Sequence, residues 1–540
     1  MKGTEKMKKI IAGALTVVLA AACFAGCGKK QASEGNEKFV LTTDDSYPIK
    51  TDKTLRMWAT FTAASYANSA NDLPITEYLE EATGIKVKWE HPAQGEESTS
   101  FNLMLASDDM PDMIFAGWQN VNNGPDYNLD KHIIADMTPY IEGGASPNYK
   151  KIMDENPELK KLGTSASNRY YAYFMLLGDE KLTSYMTFYI RNDILKKNGL
   201  EVPETLSEWE TALYAIRDSG IKTPLMLKLT NYQLETCSPF MSCFNTAGTF
   251  YHVDGKVKFG PYEKAFGEWV KLMAKWYKDG ILDVNFVDES PERWSAEITN
   301  GNNGAYTAGI SSLATYGDAI KKDSGIEYVP CKIPVAKKGD RAMYAQKQFM
   351  LNNAGIAVSA TSKNKELCAR YLDFGYSEKG QMVYNFGKEG VSYTMETGAD
   401  GKPTPVYTKL ITDPKERNGL SFSQALGMYT RATMPISVQN INYLLQSYSY
   451  DTQKQALEYA YDTDTLKHKI PDSIFTTEQA KQISDIMTPI NTYREETVAK
   501  IISGKMDIKE LDTYFSKLKD MGIEKAIKIY QDAYNAYLKK

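Results

Sequence analysis

Residues 54–116 decide the fold of this chain and read TLRMWATFTAASYANSANDLPITEYLEEATGIKVKWEHPAQGEESTSFNLMLASDDMPDMIFA. Thr54–Ala59 predicts a short apolar strand. Ile85–Trp89 alternates apolar and polar residues, as a half-buried strand does. Pro111–Ala116 is a continuous apolar run, which is typical of a parallel strand covered on both faces. The segment therefore predicts three strands.

Two helices are predicted between these strands. Apolar residues recur at helical spacing from Ile75 to Ala82, with Pro74 suited to the first turn and Gly84 to the position after the last. A second helix is predicted from Glu97 to Ser107. The order strand, helix, strand, helix, strand favours a parallel sheet with helices on its faces, because such crossovers are right-handed.

A second block of strands and helices begins near Ser184. Thr205-Leu206-Ser207-Glu208 is a capping box that opens a helix. Trp269 and Trp276 lie on one stripe of a long helix and are interpreted as core residues. The further predicted strands are 185–190, 304–308 and 354–360, and the further predicted helices are 192–198, 261–279, 290–301, 365–375 and most of the chain from 478, with breaks at Gly504 and Gly522.

The N-terminus indicates export. Lysines at 2, 6, 8 and 9 precede an apolar stretch, 10–22, that is too short to span a bilayer. Phe24-Ala25-Gly26-Cys27 then matches a lipobox, in which an apolar residue and two small ones precede the cysteine that receives a diacylglyceryl group. Residues 1–26 are therefore predicted to be a lipoprotein signal peptide and Cys27 the lipidated first residue, since two acyl chains anchor durably. Cys23 is a poorer match, and an ordinary secretory signal is the alternative.

The chain beyond residue 26 is expected to be a soluble body on a tether. Residues 27–53 are polar and without periodicity, which predicts a flexible tether. The chain from residue 27 has 59 basic and 67 acidic residues and no basic stripe, which argues against nucleic acid as a partner. No later stretch reaches about 18 apolar residues, so contact with the membrane is predicted through the lipid alone.

Cysteine and histidine give no support for a metal or cofactor, and none is expected. The histidines, at 91, 132, 252 and 468, show no ligand spacing. Cys237 and Cys243 are close enough in sequence to bridge. Buried thiols are favoured for them, because a body of this size does not need disulfides for stability.

Several short motifs are spread over most of the chain. They are Asn71–Pro74 with Glu81–Ile85, Phe101–Ser107 with Pro111–Asp112, Asn198–Thr205 with Glu208–Trp209, Gly387–Thr394, Ser503–Lys505, Leu518–Gly522 and Ile529–Tyr534. In this order, behind a lipobox, they resemble the bacterial extracellular solute-binding proteins of carbohydrate ABC importers, most of all the large lipoproteins of oligosaccharide uptake. The resemblance covers about 54–537. Between Ser165 and Thr187 the chain departs from the family's pattern, so no contacts are carried over from that stretch.

The resemblance implies an α/β chain with a type II periplasmic-binding-protein fold, in which a hinge joins two lobes and a helical C-terminal extension follows. It implies capture of an oligosaccharide by hinge closure, delivery to ABC permease subunits, and no covalent chemistry. The protein is then expected as a monomer, lipid-anchored on the outer face of the cell membrane of a Gram-positive bacterium. The lobes are predicted as 54–165 plus about 305–360, and 166–304 plus about 361–540.

Candidate ligand contacts follow from the strand ends and from the resemblance. Ligands of open parallel sheets bind beyond the carboxyl ends of the strands, and sugars stack on flat aromatic rings. Trp118, directly after a buried strand, is expected to face such a cleft, whereas Trp58 has a core position as its alternative. The resemblance adds Trp294 on a helix, and Tyr393 with Glu389 in a glycine-marked loop.

Two other functions were weighed. A glycosidase needs two carboxylates at a set separation, and a chain with this many acidic residues contains candidate pairs. However, it has no nucleophile elbow, no His-Glu-x-x-His and no phosphate-cradling glycine loop, so an enzyme is not expected. A binding protein for a peptide or another solute, or one that serves a sensory receptor, stays open as the alternative.

Overall fold

Two separate β-sheets, each with helices on its faces, organise this chain. The structure, a computed structural model, describes residues 47–288, 290–398, 401–430 and 436–540. The predicted signal peptide, the lipidation site Cys27 and most of the predicted tether lie outside these residues.

The strands and helices alternate over most of the described chain. The strands are β1 Thr54–Trp58, β2 Lys86–Glu90, β3 Met113–Ala116, β4 Tyr173–Leu177, β5 Met186–Arg191, β6 Thr223–Met226, β7 Phe250–Val253, β8 Lys256–Phe259, β9 Asn303–Gly309, β10 Tyr328–Cys331, β11 Leu351–Val358, β12 Tyr393–Thr397, β13 Pro403–Tyr407 and β14 Val438–Gln439. The helices are α1 Pro74–Thr83, α2 Glu97–Leu105, α3 Pro125–Asp130, α4 Thr138–Glu142, α5 Pro147–Glu155, α6 Pro157–Gly163, α7 Asn192–Lys197, α8 Leu206–Asp218, α9 Asn231–Cys237, α10 Lys264–Lys278, α11 Pro291–Thr299, α12 Ser312–Ala319, α13 Lys365–Phe374, α14 Glu378–Phe386, α15 Lys409–Thr412, α16 Phe422–Tyr429, α17 Ile441–Ser447, α18 Asp451–Tyr461, α19 Thr477–Ile502, α20 Leu511–Asp520 and α21 Ile523–Lys539.

The first sheet has the strand order β14-β4-β11-β3-β1-β2. β1 pairs in parallel with both β2 and β3, with Leu55 opposite Val87 and Met57 opposite Met113. β11 enters antiparallel between β3 and β4. The predicted parallel arrangement of the first three strands is thus confirmed, and the helices α1 and α2 form the predicted connections.

The second sheet has the strand order β10-β5-β9-β6. Helices α8, α10 and α19–α21 bury their apolar faces in one large core that this sheet shares. Trp209, Trp269 and Trp276 are fully buried there, so the core interpretation of Trp269 and Trp276 is confirmed. Each large side chain buried in this way contributes about 2–3 kcal/mol through the apolar surface it removes from water.

Two local sequence signals begin and end helices at the predicted residues. Thr205 accepts a hydrogen bond from the Glu208 N–H at 3.3 Å and Glu208 accepts one from the Thr205 N–H at 2.9 Å, which is the expected capping box. Gly84 follows α1 with φ of 72°, a conformation that glycine adopts without strain. The long helix α10 begins at Lys264 and not at Pro261, because Gly260–Tyr262 forms a separate 3-10 turn.

The strand pairing differs from the lobe division made from the sequence. β4, placed in the second lobe, pairs in the first sheet, whereas β9 and β10, largely placed in the first lobe, pair in the second. Helix α13, placed in the second lobe from the sequence, packs against α5, which was placed in the first lobe. Asp373 of α13 accepts hydrogen bonds from the Tyr149 N–H at 2.8 Å and from Asn148 Nδ2 at 2.7 Å. Short apolar strands carry no mark of which sheet they join, so the extent of each lobe stays a proposal.

Two properties of the described residues bear on function. No helix among them combines the length and the apolar character that a membrane crossing requires. Cys237, Cys243, Cys331 and Cys368 are free, so the favoured interpretation of Cys237 and Cys243 as thiols is confirmed. Burial raises the pKa of both Cys237 and Cys243 to about 12, which leaves these thiols protonated and unreactive.

Candidate functional site

The carboxyl ends of the strands in both sheets point toward the segments that connect the sheets. β1, β2 and β3 run parallel, and β4 runs the same way because β3 and β4 are both antiparallel to β11. In the second sheet β6, β9 and β10 share one direction, opposite to β5. The connection from β4 to β5 is short, residues 178–185, and it joins the carboxyl edge of the first sheet to the carboxyl edge of the second. Ligands of α/β sheets bind beyond such edges, so the space between the two edges is the candidate site.

An aromatic cluster lies at the edge of the first sheet. Phe101, on α2, packs against Trp58 with ring centroids 5.2 Å apart and against Trp118 with centroids 6.2 Å apart. Trp58 is 8% exposed and Trp118 is fully buried, with its Nε1 donating to the Ile114 carbonyl at 3.2 Å. The structure therefore brings these two predicted residues together in a packed cluster, and their contact with a ligand stays a prediction.

A histidine fixes the loop that follows β1. The His91 ring stacks on Phe61 with centroids 4.7 Å apart. Its Nε2 accepts a hydrogen bond from the Ala70 N–H at 3.1 Å, so Nδ1 carries the proton and donates to the Ala59 carbonyl at 2.9 Å. Both ring nitrogens are thereby used, so His91 ties the segment after β2 to the loop after β1.

Two exposed tyrosines lie at the edge of the second sheet. Tyr232, at the start of α9, is 65% exposed, and Tyr185, just before β5, is 42% exposed. The Tyr185 N–H donates to Oε1 of the buried Gln346 at 2.7 Å, which ties Tyr185 to the segment returning from β10 to β11. Partial burial and the neighbouring Tyr232 raise the pKa of Tyr185 to about 12, so its hydroxyl is neutral and able to donate. This pair offers the flat, accessible rings that a sugar needs.

The residues predicted to contact a ligand did not include Tyr185 or Tyr232. Neither residue belongs to a motif, and exposure leaves no periodic pattern in a sequence. The signal that could have found them is position, since one directly precedes β5 and the other follows the loop after β6.

Helix α9, which carries Tyr232, is held by a buried arginine of α19. Arg494 is fully buried and its Nε donates to Asn231 Oδ1 at 2.6 Å. Its Nη2 meets Glu235 Oε1 at 2.6 Å and its Nη1 donates to the Gly248 carbonyl at 3.2 Å. Charge-assisted bonds of this kind are stronger than neutral ones, so α19 fixes the position of α9.

Trp294 lies in α11 and packs into the second sheet. It is 4% exposed and belongs to a core cluster with Ile298 and Tyr306. Lys228 Nζ lies 4.9 Å from the centroid of its ring. Its Nε1 has no hydrogen-bond partner among the described residues. Ligand contact by Trp294 therefore stays a prediction.

A polar cavity of about 240 Å³ lies between the segment after β3 and the C-terminal helices. Gln119 Oε1 is buried there without a hydrogen-bond partner among the described residues. Asp472, on the opposite wall, accepts a hydrogen bond from Asn353 Nδ2 at 3.1 Å. Its lining residues are Gln119, Asn120, Asn122, Gly124, Pro471, Asp472, Phe475, Ala480, Ile483, Ser484 and Tyr530. Amides, a carboxylate and two aromatic rings around one cavity suit a ligand rich in hydroxyl groups.

Glu389 and Tyr393 line a different cavity, of about 360 Å³. Its other walls come from α14 and the second half of α1, where Lys388 Nζ meets Glu81 Oε2 at 2.6 Å. Tyr393 is 7% exposed. The structure thus brings these two predicted residues together, but their cavity shares no lining residue with the one at Gln119. Their contact with a ligand stays a prediction.

No group of three or more His, Cys, Asp or Glu side chains within the described ranges is placed to hold a metal ion. Carboxylates at the second edge are instead bridged by arginine. Arg293 Nη1 lies 2.8 Å from Asp283 Oδ2, and its Nε lies 2.6 Å from Asp288 Oδ2.

Comparison with known proteins shows likeness along nearly the whole chain. A family model described as bacterial extracellular solute-binding protein matches residues 63–382. The fructooligosaccharide ABC transporter substrate-binding protein FusA of Streptococcus pneumoniae is 23% identical, covering 98% of this chain and 99% of its own. Lipoprotein LipO of Bacillus subtilis is 21% identical, covering 86% of this chain and 89% of its own. Among solved structures, the alginate-binding protein AlgQ2 without calcium ion matches with a TM-score of 0.71 and 21% identity, covering 91% of this chain and 100% of its own.

Proposed function

Because the chain belongs to the family of bacterial extracellular solute-binding proteins, we propose that it captures an oligosaccharide between two lobes and delivers it to an ABC importer. The chain has the predicted fold of periplasmic binding proteins, with a helical C-terminal region. A fructooligosaccharide-binding relative that aligns over almost all of both chains supports a carbohydrate as the ligand.

One observation carries the proposal. Both sheets direct their carboxyl edges at the same space, where Tyr185 and Tyr232 present exposed rings. The polar cavity at Gln119 opens between the first sheet and the C-terminal helices that pack on the second. Rings for stacking beside amides and carboxylates for hydroxyl groups form the combination that an oligosaccharide requires.

The site joins elements from both sheets, which suits binding by closure. The segments that cross between the sheets, 178–185 and 332–350, are proposed as the hinge. A ligand that touches both edges stabilises the closed form by the difference between its affinities for the closed and the open form. The closed form is the state proposed for recognition by the permease.

The location of the protein is proposed from the N-terminus. The lipobox at Cys27 and the lipoprotein relative support a lipid anchor on the outer face of the cell membrane. A tether from Cys27 to residue 53 keeps the binding unit near the permease. The protein is proposed to act as a monomer and to release its ligand chemically unchanged.

A melting-temperature screen tests the proposal. Ligand binding to the folded state raises its stability by RT ln(1 + [L]/Kd), about 2.7 kcal/mol at a hundredfold excess over Kd. We expect at least one oligosaccharide to raise the melting temperature, while glycerol at the same concentration leaves it unchanged. A rise with peptides and none with any glycan would contradict the proposal and favour a peptide-binding protein.

A further inference from the structure

We propose that this site selects neutral glycans and excludes acidic ones, such as oligomers of uronic acids. The inference rests on the proposed function, since it names the class of oligosaccharide that the site takes. It follows from the distribution of charge around the two facing edges.

The edge of the first sheet carries no basic side chain in the segments that follow β1, β2 and β3. Residues 59–73, 91–96 and 117–124 contain neither lysine nor arginine. Both ring nitrogens of His91 are already hydrogen-bonded to backbone groups. The charged side chains in these segments are the carboxylates Asp72 and Glu96. A carboxylate ligand therefore meets neutral or negative groups on this side.

Several basic side chains near the second edge and the crossing segments already have partners. Arg293 bridges Asp283 and Asp288. Lys181 pairs with Glu458 at 2.5 Å.

Two further lysines near the crossing segments are covered. Lys347 is buried, and its Nζ donates to the Tyr461 carbonyl at 2.8 Å and lies 4.2 Å from the centroid of the Tyr461 ring. Lys228 lies over the Trp294 ring. Together with Arg293 and the Ser290 N–H, which has the largest effect, Lys228 holds the pKa of Asp288 below its usual value. An acidic ligand would have to compete with these existing partners for each positive charge.

The polar cavity at Gln119 favours a ligand that donates hydrogen bonds. Gln119 Oε1 is an acceptor without a partner among the described residues, and Asp472 on the facing wall, which interacts with Lys469, also accepts a hydrogen bond. A sugar hydroxyl can donate to either group, whereas an ionised carboxylate has no proton to donate. A buried carboxylate without a positive partner also bears a large desolvation cost. Hydrogen bonding and charge thus favour the same class of ligand.

Titration of the purified chain with two sets of oligosaccharides of matched length, one neutral and one of uronic acids, tests this selectivity. We expect a neutral member to bind with a Kd that changes less than about twofold between low and high salt, because screening acts on charge pairs. We expect the acidic set to bind at least about a hundredfold more weakly. An acidic oligosaccharide that binds as tightly as the best neutral one would overturn the selectivity but leave carbohydrate capture standing. Failure of both sets would overturn the proposed function itself.

A substitution at Gln119 tests the role of the polar cavity. Gln119→Leu keeps the approximate size of the side chain and removes its amide, so we expect neutral affinity to fall by about tenfold or more. The melting temperature without ligand is expected to hold, since the amide oxygen has no partner to lose. Gln455→Leu, an exposed amide on α18, is the matched control and is expected to leave affinity unchanged. Equal affinities for the two variants would overturn the role assigned to the cavity.

Discussion

The aromatic residues of the candidate site differ in how much of each ring is exposed to solvent. Tyr185 and Tyr232 leave large parts of their rings accessible at the second edge, whereas Trp58, Trp118 and Trp294 are packed against neighbours. An accessible ring can stack on a sugar without first displacing another side chain. The tyrosines are therefore the stronger candidates for direct contact.

Substitution of Tyr232 tests this ranking. Tyr232→Ala is expected to weaken oligosaccharide binding by roughly tenfold, about 1.4 kcal/mol, because the stacking surface is lost. The melting temperature without ligand is expected to stay within about one degree, since a residue that is 65% exposed contributes little to the core. Tyr450→Ala removes another exposed tyrosine, outside the site, and serves as control in the same titration. If both variants bind like the parent protein, Tyr232 is not a contact.

The candidate site could be predicted from sequence in position but not in exposure. Strand ends located Trp58 and Trp118 at the correct edge, because the carboxyl end of a strand is visible as the end of an apolar run. Their burial depends on Phe101, which arrives from α2 at a distance in sequence that no local pattern encodes. The same reason hid Tyr232, whose position depends on Arg494 of α19.

Asp373 gives the protein a measurable pH response. Burial raises the pKa of this carboxyl to about 6, against donation from the Tyr149 N–H and Asn148. The folded state then binds more protons than the unfolded state between about pH 4 and 6, so this group makes the protein more stable as pH falls through that window. The corresponding gain is on the order of 3 kcal/mol. Above about pH 6 the contribution no longer changes.

Unfolding by denaturant at several pH values checks this response. The parent protein is expected to gain stability, relative to Asp373→Asn, as pH falls from about 6 to 4. Comparison with the asparagine variant removes the contributions of the other carboxyl groups, which the two proteins share. A difference that stays constant over this window would contradict the raised pKa.

Among the elements, α19 connects the C-terminal region to the site. Its Arg494 donates a hydrogen bond to Asn231 and forms an ion pair with Glu235, both of which lie on α9. Loss of one partner leaves the other polar groups buried without compensation, which costs more than the pair contributes by itself. The C-terminal helices therefore fix an element of the candidate site as well as contributing to the core.

Arg494→Met is expected to lower the free energy of unfolding by about 3 kcal/mol and to weaken ligand binding through the displaced α9. Denaturant unfolding and a ligand titration of the same preparation measure both effects. Lys528→Met removes an exposed lysine of α21 that pairs with Asp532, and it is expected to change neither value. Normal ligand affinity in the Arg494→Met variant would show that the position of α9 does not affect binding.

Most elements could be predicted from local signals. The capping box at Thr205 and Gly84 after α1 act within one turn of helix and need no distant partner. The start of α10 was predicted three residues early, because the 3-10 turn at Gly260 shares the proline signal of a helix start. Element boundaries are thus encoded locally.

The arrangement of the whole molecule is less visible in its sequence. The parallel order of β1, β2 and β3 follows from short consecutive crossovers. The chain crosses between the two sheets directly after β4 and again directly before β11. These two strands pair with each other although they lie far apart in the chain. The likeness to a solved binding protein over 91% of this chain indicates the overall fold, which local sequence patterns do not predict.

The proposed anchoring is a property of the whole molecule that depends on one residue. Cys27→Ala is expected to release the protein from cells into the medium with unchanged ligand affinity, because acyl chains on Cys27 are proposed to hold it to the membrane. Immunoblots of cell and medium fractions measure the release. Cys23→Ala is the control and is expected to stay with the cells. Retention of the Cys27→Ala protein on membranes would rule out this anchor.

Identification of the bound molecule tests carbohydrate capture and its selectivity in one experiment. The purified chain is equilibrated with a mixture of neutral oligosaccharides, oligouronates and peptides, and native mass spectrometry weighs what it retains. We expect one intact neutral oligosaccharide per protein chain. A retained peptide, a retained oligouronate or a shortened glycan would contradict it.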